Sequence, residues 1–410
     1  MGTQSVGENR VCIISLTEVF DEPRVRRQAY TFDKLGWAVT LVGLRGRSEL
    51  PENWRFIELN PQRAFEAVRK PYHLPLCRLF PQVAENNYWK QPANGYISEA
   101  LTSLECNLVI AHDYFTAPIA ARAAQKCGAS FVVDCHEYAR GQYHQTNWKD
   151  ALIWRYFERP YIDALQRRYL RKADAVSTVC DGIAGLLQED YRLVERPVVV
   201  RSIPLYQKLP FRPCGETINV LYHGLVVPTR GMENAIISVQ DWRPEFHLTI
   251  RGTGNEEYFS FLKRLAQDCG VGERVHFVPP VPFTEMIGRA AEADVGYVVL
   301  ENFSPQRTFT LPNKFFEYIM AGLALLCSDL PELSRVAHEH DIGVLVKTTD
   351  PSDIADRVNS LTRKTIDEQK VRSLEAARKL CWEFESERML EAYLGKDEKS
   401  SGRRGEGGTG

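Results

Sequence analysis

The residues of this sequence that could do chemistry are most concentrated in the segment LPNKFFEYIMAG, at positions 311–322. Pro312 suits the first turn of a helix, and Gly322 suits its end. The free N–H groups of a first helical turn attract anions, and Lys314 adds a full positive charge there. We therefore predict that the start of this helix binds a phosphate or a diphosphate.

Glu317 does not fit a site for phosphate alone, because its carboxylate would repel the same anion. A carboxylate that accepts hydrogen bonds from two hydroxyls is a common way to hold a ribose. Lys314 and Glu317, one turn apart, could then hold the two ends of one nucleotide. The alternative is an i,i+3 surface ion pair, worth roughly a few tenths of a kcal/mol.

Apolar strands alternate with amphipathic helices on both sides of this segment, and they must position it. Continuous apolar strands separated by helices indicate parallel sheets that are covered on both faces. In the first half we predict strands at 10–16, 37–44, 106–112, 130–136, 173–180 and 197–202, and helices at 24–36 and 117–128. In the second half we predict strands at 218–224, 246–252, 274–281, 294–300, 323–329 and 342–347, and helices at 231–242, 256–270, 283–293, 312–322 and, with an interruption, 367–394.

The fold class that follows is α/β, with two Rossmann-like, doubly wound domains and a ligand cleft between the carboxyl ends of their strands. A chain of 410 residues favours two domains over one. The predicted parts are an N-terminal domain at 1–205, a C-terminal domain at 206–380, a helix that could cross back to the first domain at 381–395, and a disordered tail at 396–410.

Composition and charge argue against several other classes of protein. A net charge of -2 removes the broad electrostatic case for nucleic-acid binding. The sequence has neither an apolar run long enough for a membrane span nor a signal peptide, so we expect a cytoplasmic protein. Its ten cysteines include no C-x-x-C pair. Buried, reduced thiols are therefore expected, and a structural zinc site is not.

Seven blocks of sequence, in their order and spacing, resemble family 4 glycosyltransferases of the GT-B fold. The longest block, LPNKFFEYIMAGLALLCSDLPEL, is similar to the donor-binding signature of that family. The other six are DEPRVRRQAYTFDKLGWAVTLVG (21–43), VIAHDYF (109–115), VVDCHEY (132–138), LYHGLVVPTRGMENAI (221–236), TIRGTG (249–254) and HFVPPVPFTEM (276–286). The resemblance extends over roughly residues 10–380.

This resemblance implies a retaining transfer of a sugar from a nucleotide-sugar donor to an acceptor hydroxyl. It implies no metal and no cofactor, and UDP or GDP is the expected carrier of the sugar. By the same resemblance, the domain at 206–380 is expected to bind the donor and the domain at 1–205 the acceptor, which is expected to be a glycan, a lipid-linked molecule or a small molecule. The implied donor site has Arg230, Lys314 and Asn313 on the diphosphate, Glu317 on the ribose, and Gly224, Val281, Thr310, Leu311 and Pro312 near the sugar or base.

The implied catalytic residue is His136, which follows a predicted strand and matches the family histidine beside the reacting centre. The alternative for a lone histidine is a buried side chain satisfied by the backbone. The first glutamate of the longer family signature would fall at Phe309, so a carboxylate nucleophile is not expected. We expect instead a front-face mechanism, in which the leaving phosphate helps to deprotonate the acceptor. The predicted acceptor side comprises Arg24, His112, Asp113 and Glu137.

Three further patterns have more than one interpretation. Arg24, Arg26 and Arg27 could meet an anionic acceptor or could be solvated. Gly252-x-Gly254 is half of a dinucleotide fingerprint and is expected to form a tight turn. The segment 153–172, rich in aromatic residues and arginine, could lie on an anionic membrane surface or form an amphipathic core helix. The alternatives to a transferase are a nucleotide-sugar epimerase of the same fold and a non-catalytic nucleotide-sugar-binding subunit.

Overall fold

Two parallel β-sheets organise the chain, one in each of two units. The computed structural model describes residues 9–46, 49–59, 77–142 and 148–395. The first unit contains the described residues up to Val200 and from Ser386 onward, and the second is Arg201–Glu385. The tail predicted to be disordered, 396–410, lies outside the described residues.

The first unit is built on a seven-stranded parallel sheet. Its strands are β1 (Arg10–Glu18), β2 (Ala38–Leu44), β3 (Arg55–Glu58), β4 (Leu108–His112), β5 (Ser130–Cys135), β6 (Ala175–Thr178) and β7 (Val198–Val199). They are arranged in the order β3-β2-β1-β4-β5-β6-β7, so the direction of winding reverses between β1 and β4. The carboxyl ends of strands at such a reversal are where doubly wound sheets bind ligands.

The helices of the first unit follow the strands in the alternating order that the sequence predicts. They are α1 (Pro23–Lys34), α2 (Pro81–Lys90), α3 (Pro92–Ala100), α4 (Asp113–Cys127), α5 (Trp148–Ile153), α6 (Arg159–Leu170) and α7 (Asp181–Tyr191), with a π-helical turn at Trp154–Glu158 and a 3₁₀ turn at Ala139–Gly141. Glu22 caps α1 by accepting a hydrogen bond from the backbone N–H of Arg24, and Gly128 ends α4 in the left-handed conformation.

The second unit repeats this plan with six parallel strands. They are β8 (Ile218–Val226), β9 (Phe246–Gly254), β10 (Val275–Val278), β11 (Val295–Val298), β12 (Ala324–Ser328) and β13 (Gly343–Val346). The order is β10-β9-β8-β11-β12-β13, with the reversal between β8 and β11. Strand β10 ends earlier than predicted because Pro279 and Pro280 cannot continue the ladder of hydrogen bonds.

Helices again connect the strands of the second unit. They are α8 (Met232–Ser238), α9 (Glu256–Asp268), α10 (Met286–Ala290), α11 (Pro305–Thr308), α12 (Asn313–Met320), α13 (Pro331–His340), α14 (Pro351–Ser360), α15 (Arg363–Ala377) and α16 (Trp382–Leu394). Residues of α16 from Ser386 onward belong to the first unit, where the Tyr393 hydroxyl lies 2.5 Å from that of Ser177. None of the helices in the described part of the chain is long and apolar enough to cross a membrane.

The structure confirms the predicted α/β class with two doubly wound sheets, but the tight turn predicted for Gly252-x-Gly254 is wrong. Both glycines lie within β9, where Gly252 pairs with Gly224 and Gly254 pairs with Val226 on β8. A Cβ atom on Gly252 would lie 1.7 Å from the carbonyl oxygen of Gly224, and one on Gly254 would lie 2.2 Å from that of Val226. These glycines therefore allow the carboxyl ends of the two strands to lie close together.

This close approach makes Gly252 sensitive to a single methyl group. We expect Gly252→Ala to lower the free energy of unfolding by about 3 kcal/mol, since the clash is with backbone and cannot be relieved by a rotamer change. Gly185→Ala, inside α7 with no heavy atom within 4 Å of the new Cβ, is the matched control. It should stabilise by roughly 0.5–1 kcal/mol. Urea unfolding of both variants checks this, and a Gly252→Ala protein as stable as wild type would contradict it.

Candidate active site

The carboxyl ends of β4 and β5 bring several predicted residues of the first unit together. His112 is the last residue of β4 and pairs with Asp134 on β5, and Asp113 begins the following helix, α4. His136 comes directly after β5. Its backbone N–H donates to Oδ1 of Asp113, at 2.9 Å. Predicted catalytic and acceptor-side residues therefore meet beside the point where the sheet reverses.

Asp134, which the sequence analysis did not select, is the centre of this group. Its carboxylate is fully buried and receives two hydrogen bonds from Arg24, from Nε and Nη2, each at 2.7 Å. Gln28 Nε2 donates to it at 2.6 Å, and Ser177 Oγ donates at 2.7 Å. Burial alone would raise the pKa of Asp134, but the Arg24 guanidinium outweighs it and holds that pKa well below its usual range. The carboxylate is therefore ionised.

The prediction that Arg24 faces the acceptor is wrong. Its side chain is about 1 % exposed, and its remaining Nη1 donates to the carbonyl of Val200 at 2.7 Å. Arg27 is also buried, so the two arginines do share a helix face, but that face packs into the protein. Every terminal nitrogen of Arg24 is engaged in the core, which leaves the guanidinium no path to an outside anion.

The hydrogen bonds of Gln28 assign the protons of the two histidines. Because Gln28 Nε2 donates to Asp134, its Oε1 must accept from His112, whose Nε2 lies 3.0 Å away. The other ring nitrogen of His112, Nδ1, then carries no proton and must accept from His136 Nε2, at 2.5 Å. The side chain of His136 is 18 % exposed, whereas His112 is buried.

The electrostatic environment places positive charge on His136 and not on His112. Burial, together with the nearby His136, holds the pKa of His112 well below its usual value. Burial also acts to lower the pKa of His136, but the Asp113 and Asp134 carboxylates outweigh it and raise that pKa. Burial raises the pKa of Asp113 itself. His136 is therefore a partly exposed, proton-bearing group held from behind by a buried network.

The residue at the junction of β4 and α4 has an unusual backbone. Asp113 has a φ of 63°, in the left-handed region that carboxylate residues adopt only with strain. The other two non-glycine residues with positive φ among those described are Arg192 and Asp341, both at helix ends. The strained conformation is fixed by the hydrogen bond from His136. Glu137, also predicted on the acceptor side, is exposed next to it.

The ligand atoms of His112, Asp134 and His136 lie within 4.8 Å of one another, a spacing that a metal ion could bridge. The chemistry of the group does not fit a metal. Both oxygens of Asp134 already accept hydrogen bonds, and the guanidinium of Arg24 supplies the countercharge. A divalent cation beside Arg24 would be repelled. We interpret the group as a hydrogen-bonded network.

The second group lies in the second unit, where the end of β8 meets the start of α12. The Nζ of Lys314 sits 3.6 Å from the centroid of the Tyr222 ring. Gly224, two residues further along β8, has a φ of 123°, and a Cβ there would lie 3.6 Å from the same Nζ. Like the first group, it lies at a strand beside the reversal of its sheet.

Lys314 has a buried amine with cations for neighbours. Its Nζ is out of solvent and has no hydrogen-bond partner among the described residues. Burial, together with the positive charges of Arg230 and Arg307, holds its pKa well below the usual value, although Glu317 acts in the opposite direction. Burial raises the pKa of Tyr222 to about 12 against the effect of the same two arginines. An arrangement of this kind favours an anionic ligand.

Glu317 is anchored below this group and does not form the surface ion pair with Lys314 that its spacing allows. It is buried, and its Oε2 lies 2.8 Å from Nε2 of His223. The backbone N–H of His223 donates to the Tyr318 hydroxyl at 2.8 Å. The surface-pair alternative is therefore wrong, because Glu317 pairs with a histidine on β8. The ribose role of Glu317 stays a prediction.

The start of α12 differs by one residue from the prediction. Pro312 is the N-cap, and the helix begins at Asn313. A proline has no side-chain acceptor, so no side chain of the N-cap satisfies the N–H groups of the first turn. Asn313 is exposed there, whereas Leu311 is buried. The helix start keeps the character of an anion site.

Two further residues predicted near the donor sugar or base, Thr310 and Val281, lie in loops. Thr310 lies in the segment before the N-cap of α12 and is half-buried. Val281 lies in the loop after β10 and is half-buried. Arg251 lies on β9 opposite His223, and its Nη1 is buried with no hydrogen-bond partner among the described residues.

Sequence reasoning missed Gln28, Asp134, His223 and Arg307. Asp134 and His223 had a usable signal, since each is a polar residue near the carboxyl end of an apolar strand. Gln28 had none, because its role depends on Asp134, 106 positions away in the chain. Arg307 lies shortly before Lys314 in the chain, but its position alone gave no sign that its charge acts there.

Both halves of the chain match known protein families. Residues 22–204 match the family model of the glycosyl transferase 4-like domain, and residues 214–380 match that of the glycosyl transferases group 1. A comparison with curated proteins found no match.

Solved structures show the same fold over almost the whole chain. Sucrose-phosphate synthase from Thermosynechococcus elongatus superimposes with a TM-score of 0.67 at 15% identity, covering 94% of this chain and 98% of that one. A glycosyltransferase from Rickettsia africae gives 0.66 at 12% identity, covering 94% and 98%. Anabaena HepE, solved in complex with UDP and glucose, gives 0.65 at 12% identity, covering 94% and 99%.

The ion pair at the centre of the first group predicts a large effect on stability. We expect Arg24→Met to lower the free energy of unfolding by about 3–5 kcal/mol, because it leaves the Asp134 carboxylate buried without its countercharge. Arg26→Met, at an adjacent and less buried position of α1, is the matched control and should cost less than about 1 kcal/mol. Urea unfolding measures both, and equal effects would contradict the central role of the pair.

Proposed function

The chain belongs to the glycosyltransferases of the GT-B fold, and we propose that it transfers a sugar from a UDP-sugar to an acceptor hydroxyl with retention of configuration and without a metal. The observation that carries this proposal is the buried, unpartnered Nζ of Lys314 at the start of α12. Matches to transferase families in both halves favour transfer over the epimerase and binding-subunit alternatives.

The donor diphosphate is proposed to bind at the start of α12. Lys314 and Arg230 would provide cations, and the uncapped first turn would provide N–H donors. Arg307, whose charge also acts on Lys314, is added here to the proposed diphosphate site. An anion at this position would relieve the repulsion among these cations. It would also give Lys314 Nζ the partner that it lacks.

The ribose is proposed to bind at Glu317. His223 holds one oxygen of this carboxylate and so fixes the side chain. The carboxylate is thus held by a histidine and not by a cation of the proposed diphosphate site. The rest of the carboxylate is then available for hydroxyl donors. Sugar and base would lie near Gly224, Thr310, Leu311 and Val281, as the family resemblance implies.

Metal independence is proposed because the protein itself could supply the positive charge for the diphosphate. A departing diphosphate needs its developing charge balanced, and a ring of protein cations and helix N–H groups can do so in place of a divalent ion. We therefore propose that Lys314, Arg230 and Arg307 take that role. UDP is the first carrier to test, because a structure of similar fold was solved with UDP and glucose.

The transfer itself is proposed to follow a front-face path. The bond from the sugar C1 to the phosphate oxygen breaks, the acceptor oxygen bonds to C1 on the same face, and the acceptor proton passes to the leaving phosphate. Phe309 stands where a carboxylate nucleophile would be expected, so no covalent intermediate is proposed. His136 would contact the reacting sugar, with its proton position set by His112 and Gln28.

The acceptor is proposed to be a glycan, a lipid-linked molecule or a small molecule. His112 and Asp113 act on it only through His136, since His112 is buried and Asp113 is held by the His136 backbone. Glu137 is the exposed acceptor-side candidate. We propose that the protein works in the cytoplasm.

The lowered pKa of Lys314 makes donor binding depend on pH. A bound diphosphate raises that pKa again, so the site takes up a proton on binding, and affinity for the donor should increase as pH falls between the two pKa values. Calorimetric titration with UDP-glucose in buffers of different ionisation enthalpy measures the uptake. Lys314→Met should abolish it and weaken binding about 10- to 100-fold.

Lys379→Met, at an exposed position of the same unit, is the control and should keep both affinity and proton uptake. If wild type bound none of the UDP-, GDP-, ADP-, CMP- and dTDP-sugars, the donor site at α12 would be refuted. Proton uptake that persisted in Lys314→Met would assign the titrating group elsewhere.

The role of His136 predicts a loss of turnover without a loss of donor binding. We expect His136→Ala to lower the rate of UDP-glucose hydrolysis, with water as the acceptor, by about 100- to 10,000-fold. Its affinity for the donor should stay close to wild type. Release of UDP measures the rate, and His338→Ala, at an exposed helix position, is the control. An unchanged rate would refute the role, and a covalent glycosyl-enzyme trapped with a 2-fluoro sugar would refute the front-face path.

A further inference from the structure

A pocket rich in arginine opens on the first unit, apart from the His136 group. Its volume is about 460 Å³. The lining comes from the segment before α2, the 3₁₀ turn at Ala139–Gly141, the π-helical turn at Trp154–Glu158 and the helix α6. Its charged lining residues are Arg78, Arg140, Arg155, Arg159, Arg167 and the single acid Asp163.

The carboxylates near this pocket balance only part of its charge. Arg140 pairs with Asp163, at 3.4 Å, and with Asp190. Arg159 shares Asp163, at 3.7 Å. The other three lining arginines, Arg78, Arg155 and Arg167, have no ion pair with a carboxylate in the described part of the chain. Clustered like charges repel one another, so the pocket favours an anionic ligand.

Large apolar side chains stand exposed next to two of those arginines. Leu79 and Phe80 directly follow Arg78, and Phe80 is 58 % exposed. Leu152, Ile153 and Tyr156 flank Arg155 and are also exposed. Trp148, at the start of α5, is 68 % exposed. A free phosphate ion needs the cations but gains nothing from such an apolar rim.

The two parts of the segment 153–172, for which the sequence left two interpretations open, differ in burial. Within α6, Ile162, Leu165 and Tyr169 are buried, as an amphipathic core helix requires. The part before α6 is different, because Ile153 and Tyr156 point their apolar surface to solvent. The exposed aromatic and aliphatic residues therefore coincide with the arginine-lined pocket and not with the core.

We propose that this surface docks on an anionic lipid bilayer, with lipid phosphates in the arginine pocket and the surrounding apolar side chains in the interfacial layer. The arginines match the charged headgroups of such a surface. The exposed Trp, Tyr, Leu and Phe side chains beside them match the boundary between headgroups and acyl chains. The assignment does not depend on the proposed donor site, which lies in the other unit.

Vesicle co-sedimentation of the full chain tests the docking. Wild type should bind vesicles containing phosphatidylglycerol, should bind pure phosphatidylcholine far more weakly, and should be released by salt. The triple variant Arg78→Ala, Arg155→Ala, Arg167→Ala should lose roughly 100-fold in partition coefficient, since each basic residue adds roughly fivefold at an anionic surface. The control variant Arg55→Ala, Arg264→Ala, Arg378→Ala changes net charge equally at exposed positions elsewhere and should bind like wild type.

A second variant tests the apolar part. Phe80→Ser with Tyr156→Ser should weaken binding to phosphatidylglycerol vesicles while leaving thermal stability unchanged, because both side chains are exposed. Equal loss in the two arginine triples, or equal binding to neutral vesicles, would overturn the proposal. So would calorimetric binding of inorganic phosphate to wild type without any binding to vesicles, which would assign the pocket to a soluble anion.

Discussion

Burying the Asp134 carboxylate in the first sheet costs free energy that only a countercharge and a full set of hydrogen bonds can offset. Arg24 supplies the countercharge from α1, and Gln28 and Ser177 supply further donors. Because the side-chain nitrogen of Gln28 donates to Asp134, its oxygen accepts the proton of His112 Nε2. His112 Nδ1 then accepts from His136, which sets the proton position of that ring. The orientation of the partly exposed imidazole thus depends on an ion pair that no ligand touches.

The second unit has a similar topology, but its buried polar groups are paired in the opposite way. There the buried amine of Lys314 is left without a partner and has positive neighbours, while Glu317, one turn further along α12, is held by His223. A buried polar group without a partner lowers the stability of the unliganded protein, and an anionic ligand would recover that free energy as affinity. The first group is internally neutralised and positions a side chain, whereas the second is incomplete and suits a ligand.

Both groups lie beside the reversal of strand order in their sheets, between β1 and β4 and between β8 and β11. Parallel strands expose their carboxyl ends there, with the helices leading away on opposite sides. The backbones of Gly252 and Gly224 lie so close together that a side chain on the first would collide with the carbonyl of the second. The family matches and the shared fold agree with this plan, while substrate and mechanism rest on the particular side chains.

The sequence by itself determined the α/β class, most strands and helices, and the placement of His136 and Lys314 at element ends, because apolar periodicity and helix-end residues are local signals. Short or less apolar elements, such as β3 and the helices α2 and α3, were not predicted from the sequence. Only the tertiary structure decided that Arg24 faces inward, since its partner Asp134 is 110 positions away. The same holds for Glu317, whose partner His223 is 94 positions away. Spacing shows which residues share a helix face, but which surface that face meets depends on packing between distant segments.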